Sequence, residues 1–177
     1  EKNHILSYKA YGERFALYIK DKVFDTILVE YLEMAYLLAY VKSPCKTILD
    51  AHDIVSDRVA SFQNARLHYN GLMLTQNEEF ELFDQFSFVM AIQSEDYEKI
   101  SARIGKNRTL LVPHGVSFPR RKLRDQVFAL SYVGSEYLPN VDAVTRFLTD
   151  TWIHLCSEPD LQLNIYGNVC SKLPRDV

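Results

Sequence analysis

Short apolar runs alternate with stretches of helical periodicity along nearly the whole of this 177-residue chain. Four runs rich in β-forming residues lie before Pro113, at 26–30, 46–50, 86–92 and 109–112. Between them, the spacing of apolar residues predicts helices over 31–42, 57–69, 78–85 and 94–104. Strands that alternate with helices form parallel sheets covered by helices on both faces, so we expect an α/β fold.

A basic segment with few apolar residues interrupts this alternation, and it contains Pro119, Arg120, Arg121, Lys122 and Arg124. We predict a linker over 118–127, between a first domain over 1–117 and a second over 128–177. The second part supplies only two strands, which is too little to bury a stable core, so the second domain is expected to be incomplete. The first domain is also expected to be incomplete, since only four strands precede the linker. A solvated connection explains the linker charge most simply, and contact with an anionic membrane surface or with phosphate is the alternative.

Composition narrows the range of functions. The net charge is −3, which gives no general attraction for nucleic acid. Three cysteines lie far apart without a CxxC pair, which argues against a zinc site or a redox dithiol and favours a reducing compartment such as the cytoplasm. No secretory signal and no apolar run of membrane-spanning length is visible.

The segment around Gly134 predicts a strand, a turn and a helix start in immediate succession. Leu130 begins an apolar run that ends at Gly134, where we expect a positive φ and close approach of a ligand to the backbone. Asn140 is predicted to be the N-cap of the following helix, with Pro139 before it. A turn of this kind can bind phosphate through its backbone N–H groups, but a plain crossover without a ligand is an equally good interpretation of the pattern.

Polar residues follow the second predicted strand, at the end where ligands bind in open α/β sheets. His52 can exchange a proton near neutral pH, Asp53 is next to it, and Arg58 can pair with a carboxylate or a phosphate. Such a His-Asp pair is more often part of a capped loop than of a catalytic site. Spacing alone does not support a metal site at Asp50, Asp53 and Asp57, because no calcium-type loop is present. His114 follows the fourth strand, either in a simple domain-exit turn, which we favour, or facing the cleft expected between the two domains.

Taken in order, these segments resemble a known family. They are LDAHD at 49–53, VMAIQSEDYEKI at 89–100, LLVPHGV at 110–116, LSYVGSEYLPNVDAVTRFL at 130–148 and PDLQLNIYG at 159–167. Over residues 25–177 the chain resembles the middle of a glycosyltransferase of the GT-B fold, from the large retaining group that assembles polysaccharides and glycolipids. The resemblance implies two Rossmann-like domains, an acceptor-side domain first and a nucleotide-sugar domain second.

The resemblance also implies roles for individual residues. His52 matches a histidine near the reacting centre, with Asp53, Arg58 and His114 as acceptor-side candidates. Gly134 and Ser135 match the turn beside the donor diphosphate, and Asn140 lies near the helix start. The implied reaction moves a sugar from a UDP- or GDP-sugar to a hydroxyl of a saccharide or lipid-linked acceptor, without a bound metal or cofactor and without nucleic acid.

Ser135 and Asn140 stand where many members of the family carry an arginine and a lysine. The chain alone is therefore expected to be inactive, since its donor site is also incomplete. A non-catalytic binding or assembly module of the same fold is one alternative, and a sugar-nucleotide epimerase of that fold is another. The resemblance places the protein in the cytoplasm, with peripheral contact at the inner face of the membrane as a further expectation.

Overall fold

The computed structural model describes residues 2–42, 44–117 and 129–173, with side chains described from Tyr8 onward. The chain divides into two compact units, Glu1–Val116 and Ser117–Val177. The predicted linker over 118–127, with its basic residues, lies outside the described residues. Within those residues, no helix has both the length and the apolar character needed to cross a membrane.

The first unit is a four-stranded parallel sheet with the strand order β1-β2-β3-β4. Its elements are α1 (Lys2–Ile19), β1 (Thr26–Glu30), a 3-10 helix (Leu32–Tyr40), β2 (Lys46–Asp50), α2 (Val55–Asn64), α3 (Gln76–Phe83), β3 (Phe88–Ala91), α4 (Ser94–Ile104) and β4 (Thr109–Leu111). The prediction of an α/β fold with parallel strands is confirmed. The two-domain GT-B architecture stays a prediction.

The core of the first unit is centred on one row of residues that crosses the sheet. Val29 pairs in register with Leu49, and Leu49 with Val89, and all three are buried. Phe83 and Phe86, which are 0% and 1% exposed, pack in the same cluster. Burial of such side chains contributes about 1.5–3 kcal/mol each, so this row fixes the positions of the strand ends.

A 3-10 helix replaces the α-helix predicted over 31–42. It starts after Tyr31, which has a positive φ of 65°. Leu32, Ala35 and Leu38 contact the core and are spaced three apart, and this spacing places them on one face of a helix with three residues per turn. The helix α1 was not predicted. Its Gly12 lets the ring of Tyr40 pack against the helix, since a Cβ at that position would overlap the ring.

The second unit contains two parallel strands, β5 (Ala129–Val133) and β6 (Gln162–Tyr166), paired in register through all five residues of each. Between them lie α5 (Leu138–Arg146), a π-helical segment (Phe147–Trp152) and α6 (Ile153–Leu155), and a 3-10 helix (Asn168–Lys172) follows β6. Val144, Leu148 and Val169 form its small buried core.

Two predictions for this unit are wrong. Asn140 is not an N-cap, because the helix begins at Leu138 after the N-cap Tyr137, with Pro139 in its first turn, where a missing N–H costs nothing. Gly134 does not have a positive φ, because among the described glycines only Gly105 and Gly167 do. Gly167 is the position that needs glycine, since a Cβ there would overlap the carbonyl oxygen of Gly134.

Candidate functional site

His52 lies in a tight turn immediately after β2. Its φ is 58°, a left-handed conformation that is uncommon for a residue other than glycine. The turn is held by the Asp53 N–H, which donates to the Ala51 carbonyl at 2.7 Å. The His52 N–H donates to Asp50 Oδ1 at 3.4 Å. Backbone geometry of this kind persists only where the surrounding structure imposes it, and functional sites are a common place for it.

The imidazole ring of His52 is held by groups from the ends of two neighbouring strands. It stacks on Tyr31 with 4.0 Å between ring centroids and 11° between planes. Its Nε2 lies 3.2 Å from Glu30 Oε1 and 3.9 Å from Asp50 Oδ1. Glu30 and Asp50 are paired in the sheet register, so parallel pairing of β1 and β2 is what brings both carboxylates to the histidine.

The sequence predictions missed Glu30 and Tyr31. A signal for Glu30 was present, because an acidic residue ends the apolar run at 26–30 as Asp50 ends the run at 46–50. Glu30, Asp50 and His52 each present a donor atom, and these atoms all lie within 4.8 Å of one another. The set Asp50, Asp53 and Asp57 does not come together in this way.

His114 follows β4 and is close to His52. Their ring centroids are 6.3 Å apart, with the planes tilted by 50°. The sequence favoured a simple exit turn for His114. The structure shows that the imidazole in this turn is exposed and lies beside the cluster of Glu30, Asp50 and His52.

Asp53 and Arg58 form a second group next to His52. Arg58 Nε lies 3.4 Å from Asp53 Oδ2, and Arg58 Nη2 lies 3.4 Å from Glu33 Oε1. Nε makes no hydrogen bond with good geometry in the described part of the chain, so the Asp53 contact is an ion pair by distance alone. Burial raises the pKa of Asp53, and the positive charge of Arg58 opposes that rise. Arg58 therefore pairs with carboxylates in this structure.

A buried glutamate that was not predicted from the sequence, Glu79, lies near enough to Asp53 for their charges to interact. Glu79 is 0% exposed, and its carboxylate accepts hydrogen bonds from the N–H groups of Val55 at 2.6 Å and Ser56 at 2.8 Å. These are the first two N–H groups of α2. Burial raises the pKa of Glu79, and the hydrogen bonds from Ser56 and Val55 oppose that rise. The N-terminus of α2 thus has a carboxylate of the protein itself as its partner.

In the second unit, the turn after β5 brings Ser135 and Asn140 together. Ser135 Oγ accepts hydrogen bonds from Asn140 Nδ2 at 3.1 Å and from the Tyr137 N–H at 3.4 Å. The Gly134 N–H donates to the Tyr166 carbonyl at 3.0 Å, which fixes the start of the turn to the end of β6. Gly134 and Ser135 therefore lie in the turn, and Asn140, in the first turn of α5, contacts that turn through Ser135.

The charges beside this turn differ from those that a diphosphate would favour. Glu136 is in the turn itself, and its Oε2 lies 3.6 Å from Lys172 Nζ. Lys172 belongs to the 3-10 helix after β6 and is half-exposed. A cation is thus close to the turn, but a carboxylate accompanies it.

The candidate residues divide between the two units. His52, Asp53, Arg58 and His114 belong to the first unit, and Gly134, Ser135 and Asn140 belong to the second. No protein-family model, no curated protein and no solved structure matched this chain.

Proposed function

We propose that this chain is part of a GT-B glycosyltransferase that moves a sugar from a nucleotide diphosphate sugar to an acceptor hydroxyl. The observation that supports the proposal best is the histidine at the end of β2, oriented by ring stacking and by a carboxylate contact. Carboxyl ends of parallel strands are where ligands bind in open α/β sheets. A histidine there, with a carboxylate within hydrogen-bond distance, is equipped to exchange a proton with a hydroxyl group.

The second unit supplies the donor side of the proposal. Its βα turn ends at the N-terminus of α5, and backbone N–H groups at such a point favour negative charge. Ser135 and Asn140 would add neutral hydrogen-bond donors to a phosphate, in exchange for the bond that they now make to each other. Lys172 brings a positive charge to this turn through its contact with Glu136.

Two measurements test the proposal. The first titrates the chain with UDP, GDP and their sugar conjugates, following the amide resonances of 134–140 by NMR. The expected result is saturable binding that shifts these resonances, weakened in Ser135→Ala and unchanged in the control Thr149→Ala, whose hydroxyl contacts Asp150 at 2.8 Å instead. Absence of any nucleotide binding would argue against the donor assignment.

The second measurement is sugar transfer by the intact protein. His52→Ala is expected to lower the rate by about 100-fold or more, as typical for loss of a residue that acts in proton transfer. His68→Ala is the matched control, because His68 is an exposed histidine in the same unit. Equal activity of the wild-type protein and His52→Ala, together with no nucleotide binding, would overturn the proposal.

A non-catalytic binding module is the second candidate, and the charge at the turn favours it. Glu136 occupies the turn where a donor diphosphate would need positive charge, and the charge of Lys172 is paired with it. In that case the nucleotide titration gives binding without turnover, and His52→Ala leaves the affinity unchanged.

A further inference from the structure

We propose that Glu30, Asp50 and His52 form a binding site for a divalent transition-metal cation such as Mn²⁺. The three side chains come from the adjacent carboxyl ends of β1 and β2, and each offers one donor atom. Carboxylate oxygen suits Mn²⁺, and imidazole nitrogen suits the later first-row metals, so the mixed set points to a cation of that row.

The distances between donor atoms match what a shared metal ion requires. Metal–nitrogen and metal–oxygen bonds are about 2.1 Å long, so two neighbouring ligands lie roughly 3.0 Å apart at the octahedral angle that Mn²⁺ prefers and roughly 3.4 Å apart at a tetrahedral angle. The observed separations from His52 Nε2 are 3.2 Å to Glu30 and 3.9 Å to Asp50, and the whole set lies within 4.8 Å. Small rotations of the Glu30 side chain, which is 62% exposed, are sufficient to complete the geometry.

The protein holds the histidine in place for this role without any metal. The stacked ring of Tyr31 and the left-handed backbone at 52 fix the direction of the imidazole before a cation binds. His52 and Asp50 are largely buried, at 21% and 17% exposed, whereas Glu30 borders solvent. Three protein ligands on one side and solvent on the other leave coordination positions open for water or for a substrate, and His114 is close enough to act as an additional ligand after a side-chain rotation.

The surrounding charge attracts a cation. Glu33 and Asp53 lie beside the cluster with Arg58 between them, and Asp96 acts on Asp53 through its charge. Arg58 is the positive group among these side chains, and both of its ion pairs are to carboxylates other than Glu30 and Asp50. A divalent cation would offset the repulsion between the two strand-end carboxylates.

This inference does not depend on the proposed glycosyltransferase function. A cation bound to Nε2 of His52 replaces the proton at that atom, so one molecule cannot use the same nitrogen for both purposes. Metal binding measured directly, without an activity assay, separates the two proposals. If metal binds and no sugar is transferred, the present inference stands and the proposed function fails.

Mn²⁺ alone is the probe, since it avoids the exposed thiols of Cys156 and Cys170 that would bind softer metals. The full chain, freed of metal with a chelator, is titrated while the paramagnetic resonance signal of free Mn²⁺ is recorded. The expected result is loss of that signal with one equivalent bound per chain. Loss of one ligand should cost at least as much affinity as loss of an outer hydrogen-bond partner, about 10- to 100-fold, so Glu30→Gln and His52→Ala each weaken binding by that factor.

Glu33→Gln is the matched control, because it removes one negative charge from the same surface without removing a proposed ligand. It should change the affinity much less than Glu30→Gln. Circular dichroism establishes that each variant is folded. The inference is overturned if the wild-type chain shows no saturable binding, or if Glu33→Gln weakens binding as much as Glu30→Gln, which would mean diffuse attraction of counterions.

Discussion

Removal of the buried carboxylate at Glu79 should strongly destabilise the first unit. Glu79 is 0% exposed and connects α3 to the start of α2 through two short hydrogen bonds, from Val55 and from Ser56. In Glu79→Ala both N–H groups lose their acceptor, that of Val55 at a buried position and that of Ser56 at a partly buried one. A buried donor left unpaired costs about 1–3 kcal/mol, and the partly exposed donor of Ser56 costs an amount near the lower end of that range, so the two together cost roughly 2–4 kcal/mol.

Two further contributions change this figure in opposite directions. The negative charge at the helix N-terminus is itself stabilising by about 0.3–1 kcal/mol, and this is lost. The wild-type chain pays a desolvation cost for burying a charged group, and the alanine variant does not. This difference makes the expected decrease in the free energy of unfolding smaller. We therefore expect a decrease of about 2–4 kcal/mol in the free energy of unfolding for Glu79→Ala. Glu79→Gln keeps the size and one acceptor oxygen, so its decrease should be smaller.

Urea unfolding followed by far-ultraviolet circular dichroism measures this change. Trp152, the single tryptophan of the chain, packs in the core of the second unit, so its fluorescence reports on that unit. A shift seen in circular dichroism and absent from tryptophan fluorescence would locate the effect in the first unit. A free energy of unfolding for Glu79→Ala within about 0.5 kcal/mol of the wild-type value, as for an ordinary surface substitution, would refute the reasoning.

The pH dependence gives an independent check on the same residue. Burial raises the pKa of Glu79 above its usual 4.5, so the folded state binds the proton more tightly than the unfolded state. The resulting stability is fully present below the unfolded pKa and is lost as the pH rises through the folded pKa. The advantage of the wild-type chain over Glu79→Gln should therefore be larger at acidic than at neutral pH. The opposite slope would show that the hydrogen bonds outweigh burial.

Three further changes have definite expected results. Gly167→Ala places a Cβ against the carbonyl of Gly134 at a φ of 100°, so the second unit should lose about 1–3 kcal/mol by tryptophan fluorescence, while Gly115→Ala, which meets no neighbouring atom, changes little. Phe83→Ala should lower the free energy of unfolding in urea by about 3–5 kcal/mol. A decrease no larger than that of an ordinary surface substitution, about 0.5 kcal/mol, would contradict the place of Phe83 in the core. Thr75→Ala removes the hydroxyl hydrogen bond at 2.7 Å that lowers the pKa of Glu78 most and keeps the bond from the backbone N–H of residue 75, so that pKa, measured by NMR, should rise but stay below 4.5.

The strand positions of the first unit could be predicted because each apolar run is bounded by polar residues or proline. The runs at 26–30 and 46–50 have the same bounds as β1 and β2. The type of helix after β1 was harder, because the apolar side chains at 32–40 fit three residues per turn about as well as 3.6. Tertiary packing of Leu32 and Ala35 decided the matter.

The position of His52 was predictable and its environment was not. A histidine just after a strand is placed at the sheet edge by chain connectivity alone. The contact with Glu30 depends on which strand lies beside β2 and on the register between them, and neither follows from local sequence. Glu79 lies in an acidic stretch that predicts a solvated helix face, so its burial under α2 was beyond sequence reasoning.

The π-helical segment at Phe147–Trp152 has a consequence for how this chain can vary. A π-turn contains one residue more than the α-turn it replaces, and each residue turns an α-helix by roughly 100°. Deletion of one residue such as Thr149 would let the segment return to the regular spacing of α5. The side chains of Trp152 and of the helical residues after it would then keep nearly the same orientation. In a regular α-helix, the same deletion would rotate the downstream side chains away from the residues that they pack against. The wide turn is therefore a place where the chain length can change by one residue at low structural cost.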